Sequence, residues 1–212
     1  MAIKTDTFTV GTNTPLENHI SDSGGGWSGE DTTSFDVIET TGEVSYDGVG
    51  GEWGLSGGGA AIGTESPSTA DYYVEFTGKL GSIDGTSRIG AVLRYNTTTN
   101  DGYYFRHIAW AGIVGIYLFS GGTQSELGNA DIASDINTYY AYKFQIVGNV
   151  LKLYQNSVLI LERTNDAITA VGKAGLLMGG IDPRITSVTV DYATSEPINT
   201  RGSMNLRLCL EL

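Results

Sequence analysis

The chain holds one cysteine, Cys209, in 212 residues. A lone thiol excludes an intramolecular disulfide framework and any zinc site built from several cysteines. Proline is scarce, at four residues, and 12 Lys and Arg face 24 Asp and Glu, for a formal charge of −12. That balance argues against nucleic acid as a partner, because neutralising phosphates needs clustered basic side chains. It also argues against an anionic membrane surface. No apolar run approaches a bilayer span, and Met1-Ala-Ile-Lys-Thr-Asp lacks the apolar core of a signal peptide. Synthesis and folding in a cytoplasm are therefore expected. Charged residues are only 17%, which leaves Ser, Thr, Asn and Gly to carry much of the solvation.

What the chain has in excess is glycine, 30 residues without a collagen-like period, and tyrosine, 12 residues. Both suit many short strands joined by turns. The most legible stretch is 139–163. Tyr140, Tyr142, Phe144 and Ile146 alternate with Ala141, Lys143, Gln145 and Val147, the period of a strand with two different faces. Gly148-Asn149 supplies a hairpin turn, Val150 to Tyr154 the return strand, Gln155-Asn156-Ser157 a second turn, and Val158 to Leu161 a third strand. Further strands are predicted at Asp6–Val10, Phe35–Glu39, Asp71–Leu80, Arg88–Tyr95, Tyr103–Trp110, Ile113–Phe119, Ala174–Met178 and Ile185–Tyr192. Residues 42–59 read as a glycine-rich surface loop anchored by Trp53, and the polar tract from Gly121 to Asn137 as a connection. The pattern is all-β, with about 12 to 15 strands and no helix beyond a turn or two.

The order of strand, G-N, strand, Q-N, strand, then G-L-L-M and V-T-V-D-Y, spread over Asp6 to Tyr192, resembles the concanavalin A-like, laminin G-like jelly-roll superfamily. The resemblance implies a single antiparallel β-sandwich over residues 1–193 whose last strand pairs with its first. Residues 194–212 then form a linker and an extension strand. In that strand Met204, Leu206, Leu208, Leu210 and Leu212 share one apolar face, which would pack on its own domain or on a neighbouring subunit. Asp6-x-Phe8, Leu16-x-x-His19 and Gly24-x-x-Trp27 are similar to the N-terminal edge of laminin G-like domains in bacteriophage structural proteins. That likeness implies a virion protein, a capsid decoration or tail component. It would assemble as a homo-oligomer, with a trimer suited to a capsid three-fold axis, and contact the major capsid or tail protein. The alternative is a bacterial carbohydrate-binding module or lectin.

Glycoside hydrolases of this superfamily carry closely spaced carboxylates on one strand, because an acid and a nucleophile must straddle the bond. No such strand is present; Glu75 stands alone, and no catalytic residue is assigned. His107 reads as a core histidine and His19 as a brace for the Trp27 loop, neither with a third group that would make a triad. A glycan would need an aromatic platform with polar partners. The candidates are Trp53, Tyr103, Tyr104 and Trp110. The resemblance also admits a calcium ion on loop oxygens, for which Asp84, Asn100 and Asp101 are the candidates, although turns call for the same residues before glycine.

Overall fold

The structure, a computed structural model, describes residues 2–9, 11–28, 35–38, 41–46, 58–82, 87–121, 123–132, 134–136 and 138–193. Alternation along Tyr140–Val147 does what a period of two requires. Tyr142, Phe144 and Ile146 are buried on one face, while Ala141 and Lys143 stay half-buried on the other. Gly148 turns the chain with φ +58°, a conformation that side chains with a Cβ rarely adopt.

Two antiparallel sheets result. In spatial order the nine-stranded sheet runs β14 (Val158–Thr164), β13 (Val150–Gln155), β12 (Tyr140–Val147), β7 (Tyr72–Lys79) and β16 (Arg184–Tyr192). It continues through β5 (Glu43–Tyr46), β4 (Phe35–Ile38) and β2 (Thr14–Pro15), and β1 (Lys4–Asp6) also pairs with β16. The seven-stranded sheet runs β11 (Thr123–Asp131), β10 (Ile113–Ser120), β9 (Asp101–Ile108), β8 (Arg88–Asn96) and β15 (Lys173–Gly179), ending with β6 (Gly58–Gly63) and β3 (Trp27–Ser28). Helical structure among the described residues is one 3-10 turn, Leu16–Asn18. None of their helices is long and apolar enough to cross a membrane. The expected closure of the ends is present: Lys4 pairs with Val190 and Asp6 with Val188.

The two inner faces meet in an aromatic core. Phe105 of the seven-stranded sheet lies 6.0 Å from Phe76, 5.8 Å from Tyr142 and 5.4 Å from Phe144 of the other sheet, ring centre to ring centre. A second apolar cluster, with Val92, Tyr104, Tyr117 and Leu177, occupies the opposite face of the seven-stranded sheet.

The N-terminal pattern has a packing explanation. The Asp6 carboxylate is buried and takes hydrogen bonds from Trp27 Nε1 at 2.8 Å and the Phe8 amide at 2.9 Å, with His19 Nε2 also at 2.8 Å. His19 thus braces Trp27 through Asp6. Beside them Lys4 donates to the carbonyls of Gly24, Gly25 and Gly26 and lies 4.4 Å from the Trp27 ring centre. Burial pulls the Lys4 ammonium down to about 8, against the opposing pull of Asp6 and Glu65. Gly24, at φ +79°, lets the backbone close on Lys4; a Cβ there would stand 2.2 Å from the Ile3 oxygen.

Three assignments change. The strand expected at Asp6–Val10 is Lys4–Asp6 instead, and Phe8 follows it at φ +54°. Residues 42–59 contain strand at Glu43–Tyr46 and from Gly58 onward, and Thr123–Asp131 is a full edge strand paired with β10. Small and polar residues carry little periodic signal, and neighbouring strands decide their conformation. The extension strand from Met204 to Leu212 lies outside the described residues.

Candidate functional site

The outward face of the nine-stranded sheet is ordered by register into rows. Thr189, Glu75, Lys143 and Tyr154 face each other across β16, β7, β12 and β13. The adjacent row carries Asp191, Tyr73, Gln145, Lys152 and Glu162. On the other side Ala141 replaces a large side chain, and Asn156 of the turn closes the row by bonding both main-chain groups of Ala141. The small Ala141 leaves a hollow. The result is a half-open cleft of about 260 Å³ lined by Glu75, Ala141, Tyr142, Lys143, Gln145, Tyr154 and Ser157.

Its polar groups are underused by the protein. Gln145 is 8% exposed, lines the cleft, and has no hydrogen-bond partner among the described residues. Its amide therefore faces the open cleft, where a ligand or water can meet it. Lys143 stands directly opposite Glu75, where a cross-strand ion pair is expected. Its ammonium instead lies 4.0 Å from the Tyr73 ring centre. Glu75 is left exposed and forms no ion pair among the described residues. By contrast Lys152 and Glu162, at the rim, pair at 3.5 Å. Burial, then the charges of Asp191 and Glu75, push the Tyr73 hydroxyl up. Glu75, Lys143, Gln145 and Ser157 thus line the cleft together with Tyr154, a set suited to a polyhydroxylated ligand.

The sequence-predicted residues do not assemble there. Tyr103 points into the core, where its hydroxyl donates to Asn165 Oδ1 at 2.7 Å and accepts from the Ile168 amide at 3.0 Å. Tyr104 faces the other way but is equally buried, stacked 5.0 Å from Tyr117, over which Arg106 lies at 4.5 Å. Neither offers an open ring face, a correction to the expected platform. Trp110 stands in the turn between β9 and β10, on the other sheet from the cleft, and is 63% exposed. Trp53 and Asp84 lie outside the described residues. Asn100 Oδ1 accepts from the Tyr95 hydroxyl at 2.9 Å, and Asp101 Oδ1 from the Gly121 amide at 2.8 Å. That Gly121 bond, with help from Thr99, holds the Asp101 carboxyl below its usual range. No group of three His, Cys, Asp or Glu among the described residues could hold a metal ion.

One constellation looks catalytic at first sight. His107 Nε2 lies 2.9 Å from Ser134 Oγ and Nδ1 2.7 Å from the Tyr142 hydroxyl. That hydroxyl also accepts from Gln155 Nε2 at 3.3 Å, which ties the histidine into a chain from Gln155 to Ser134. The group on Nδ1 is a tyrosine hydroxyl and not a carboxylate that could stabilise an imidazolium. Burial also pulls His107 down to about 4. The trio is a core hydrogen-bond chain.

Sequence reasoning missed Gln145, Glu75, Lys143, Tyr154 and Ser157 as a group. The available signal was the polar side of the β12 alternation, with one alanine in it.

No family model and no curated protein matches the chain. Solved structures do. Carbohydrate binding module CBM66 from Bacillus subtilis matches with TM-score 0.58 and 20% identity over 64% of this chain and 82% of that one. The β-glucanase of Bacillus licheniformis matches with TM-score 0.59 and 13% identity over 85% and 97%. The exoplasmic/lumenal domain of VIP36, in a form bound to Ca2+ and Man3GlcNAc, matches with TM-score 0.59 and 9% identity over 82% and 85%. At these identities the likeness establishes the architecture, a concanavalin A-like jelly roll, and the activity has to come from the site.

Proposed function

We propose that this domain is a non-catalytic carbohydrate-binding module of lectin type that takes its sugar in the cleft on the nine-stranded sheet. The observation that carries this reading is Gln145, a residue 8% exposed whose side chain lines an open cleft without a hydrogen-bond partner among the described residues. Tyr154 supplies an aromatic wall, and Glu75, Lys143 and Ser157 supply hydrogen-bonding groups around it. One of the similar structures is described as a carbohydrate binding module and another is in a Man3GlcNAc-bound form, which agrees with this use of the fold.

The alternative, a virion assembly protein, rests on the N-terminal pattern and the terminal apolar strand. The first is accounted for by packing around Asp6, and the second lies outside the described residues. Carbohydrate recognition is the better supported reading.

A glycan array with the purified chain, followed by calorimetry on any hit, tests it. Binding should be lost in Tyr154→Ala and weakened at least about tenfold in Gln145→Ala, with unfolding temperature nearly unchanged. An array without hits would sink the proposal. Hits untouched by Tyr154→Ala would remove the cleft from it and direct attention to Trp110.

A further inference from the structure

Resting on the carbohydrate reading, the structure also narrows the ligand. We infer that the cleft receives a single uncharged pyranose unit, held by a vicinal pair of hydroxyls on the Glu75 carboxylate. Size comes first. At about 260 Å³ the cleft falls below the about 300–1,000 Å³ of pockets that enclose drug-sized ligands. It has room for one sugar ring, with the Asn156 turn closing the row beyond Ala141.

Charge comes second. The cation that register places opposite Glu75 is diverted onto Tyr73, and the next cation along, Lys152, is paired with Glu162. Glu75 and Asp191 form no ion pair among the described residues. An acidic sugar would meet this carboxylate face of a chain of net charge −12. A neutral sugar meets no such repulsion.

Chemistry comes third. An ionised carboxylate only accepts, through two oxygens side by side, which matches two adjacent hydroxyl donors on a sugar ring. Gln145 can donate to one ring substituent and accept from another, and Ser157 can donate to a remaining oxygen. The Tyr154 ring offers an apolar face for the C–H side of the pyranose.

The test uses the full chain on an array of neutral, acidic and amino-sugar glycans, with calorimetry on wild type, Glu75→Gln and Tyr154→Ala. Glu75 is exposed, so its amide variant should fold like wild type. Neutral glycans should bind, and Glu75→Gln should weaken them at least about tenfold, as expected for loss of charge-assisted hydrogen bonds. Binding confined to acidic or cationic glycans, abolished by Tyr154→Ala, would overturn this inference and leave the carbohydrate reading standing. So would neutral hits that Glu75→Gln leaves unchanged. An array with no hits at all would remove both.

Discussion

Acidification should weaken this fold through one side chain, His107. The imidazole is fully buried, paired across the sheet with Ile89 and Val114, and packed at 6.0 Å against Tyr142. No carboxylate is among these neighbours, and burial alone lowers its pKa from 6.5 to about 4. The folded value lies below the unfolded one, so between pH 6.5 and 4 the unfolded chain binds a proton that the folded chain refuses. Stability is therefore complete above pH 6.5 and falls as pH drops through that window. The loss amounts to about 2 kcal/mol between pH 7 and pH 5, and about 3 kcal/mol once pH 4 is passed. Other groups titrate in the same range, so the measurement is a difference. Urea unfolding of wild type and His107→Gln at half-unit steps from pH 4 to 7 isolates the histidine. Glutamine can still donate and accept, but it cannot be protonated. The stability gap between the two proteins should shrink by about 2 kcal/mol from pH 7 to pH 5. A gap that stays constant, or an imidazole NMR resonance missing in His107→Gln that titrates at pH 6 or above, would refute the reasoning.

Other outcomes follow from the same packing. Arg94, buried at a bulge with φ +51°, donates to the carbonyls of Ala70, Gly148 and Ile168 and to Asp71. Arg94→Met should cost about 3 kcal/mol by denaturant unfolding, since it strips donors from three segments at once. Phe144→Ala should cost about 3–5 kcal/mol, because its ring fills the space between the sheets. Trp110→Ala should change stability by no more than about 0.5 kcal/mol, as expected for an exposed turn residue. A larger loss would show that the Trp110 ring is packed.

Legibility in the sequence followed physical signal strength. The meander from Tyr140 to Thr164 was readable because aromatic and β-branched residues alternate between glycine and asparagine turns. Gly58–Gly63 and Thr123–Asp131 were not. A run such as Gly-Gly-Ala-Ala-Ile-Gly has almost no side chains to pattern, and its place is set by Phe35 and Tyr46 lying against Gly59. Tyr103 and Tyr104 misled for a related reason. Alternation puts adjacent tyrosines on opposite faces and suggests that one meets water, but both faces of this sheet carry buried clusters. The cleft left almost no trace. Lys143, Gln145 and Tyr154 look like an ordinary solvated face until register shows Lys143 opposite Glu75 and the ammonium turned away from it.

The pairing of β1 with β16 has a mechanical consequence. Lys4 and Val190 are neighbours on adjacent strands, so the polypeptide arrives at and leaves the domain at nearly one point. A fold tethered this way is a pendant. It can be hung from a loop of a host protein without forcing that loop apart, and its two leads act as a single swivel. Pulling on both leads would load the β1–β16 rungs one at a time, from Lys4 and Val190 toward Asp6 and Val188, while β16 stays paired with β7 on its other edge.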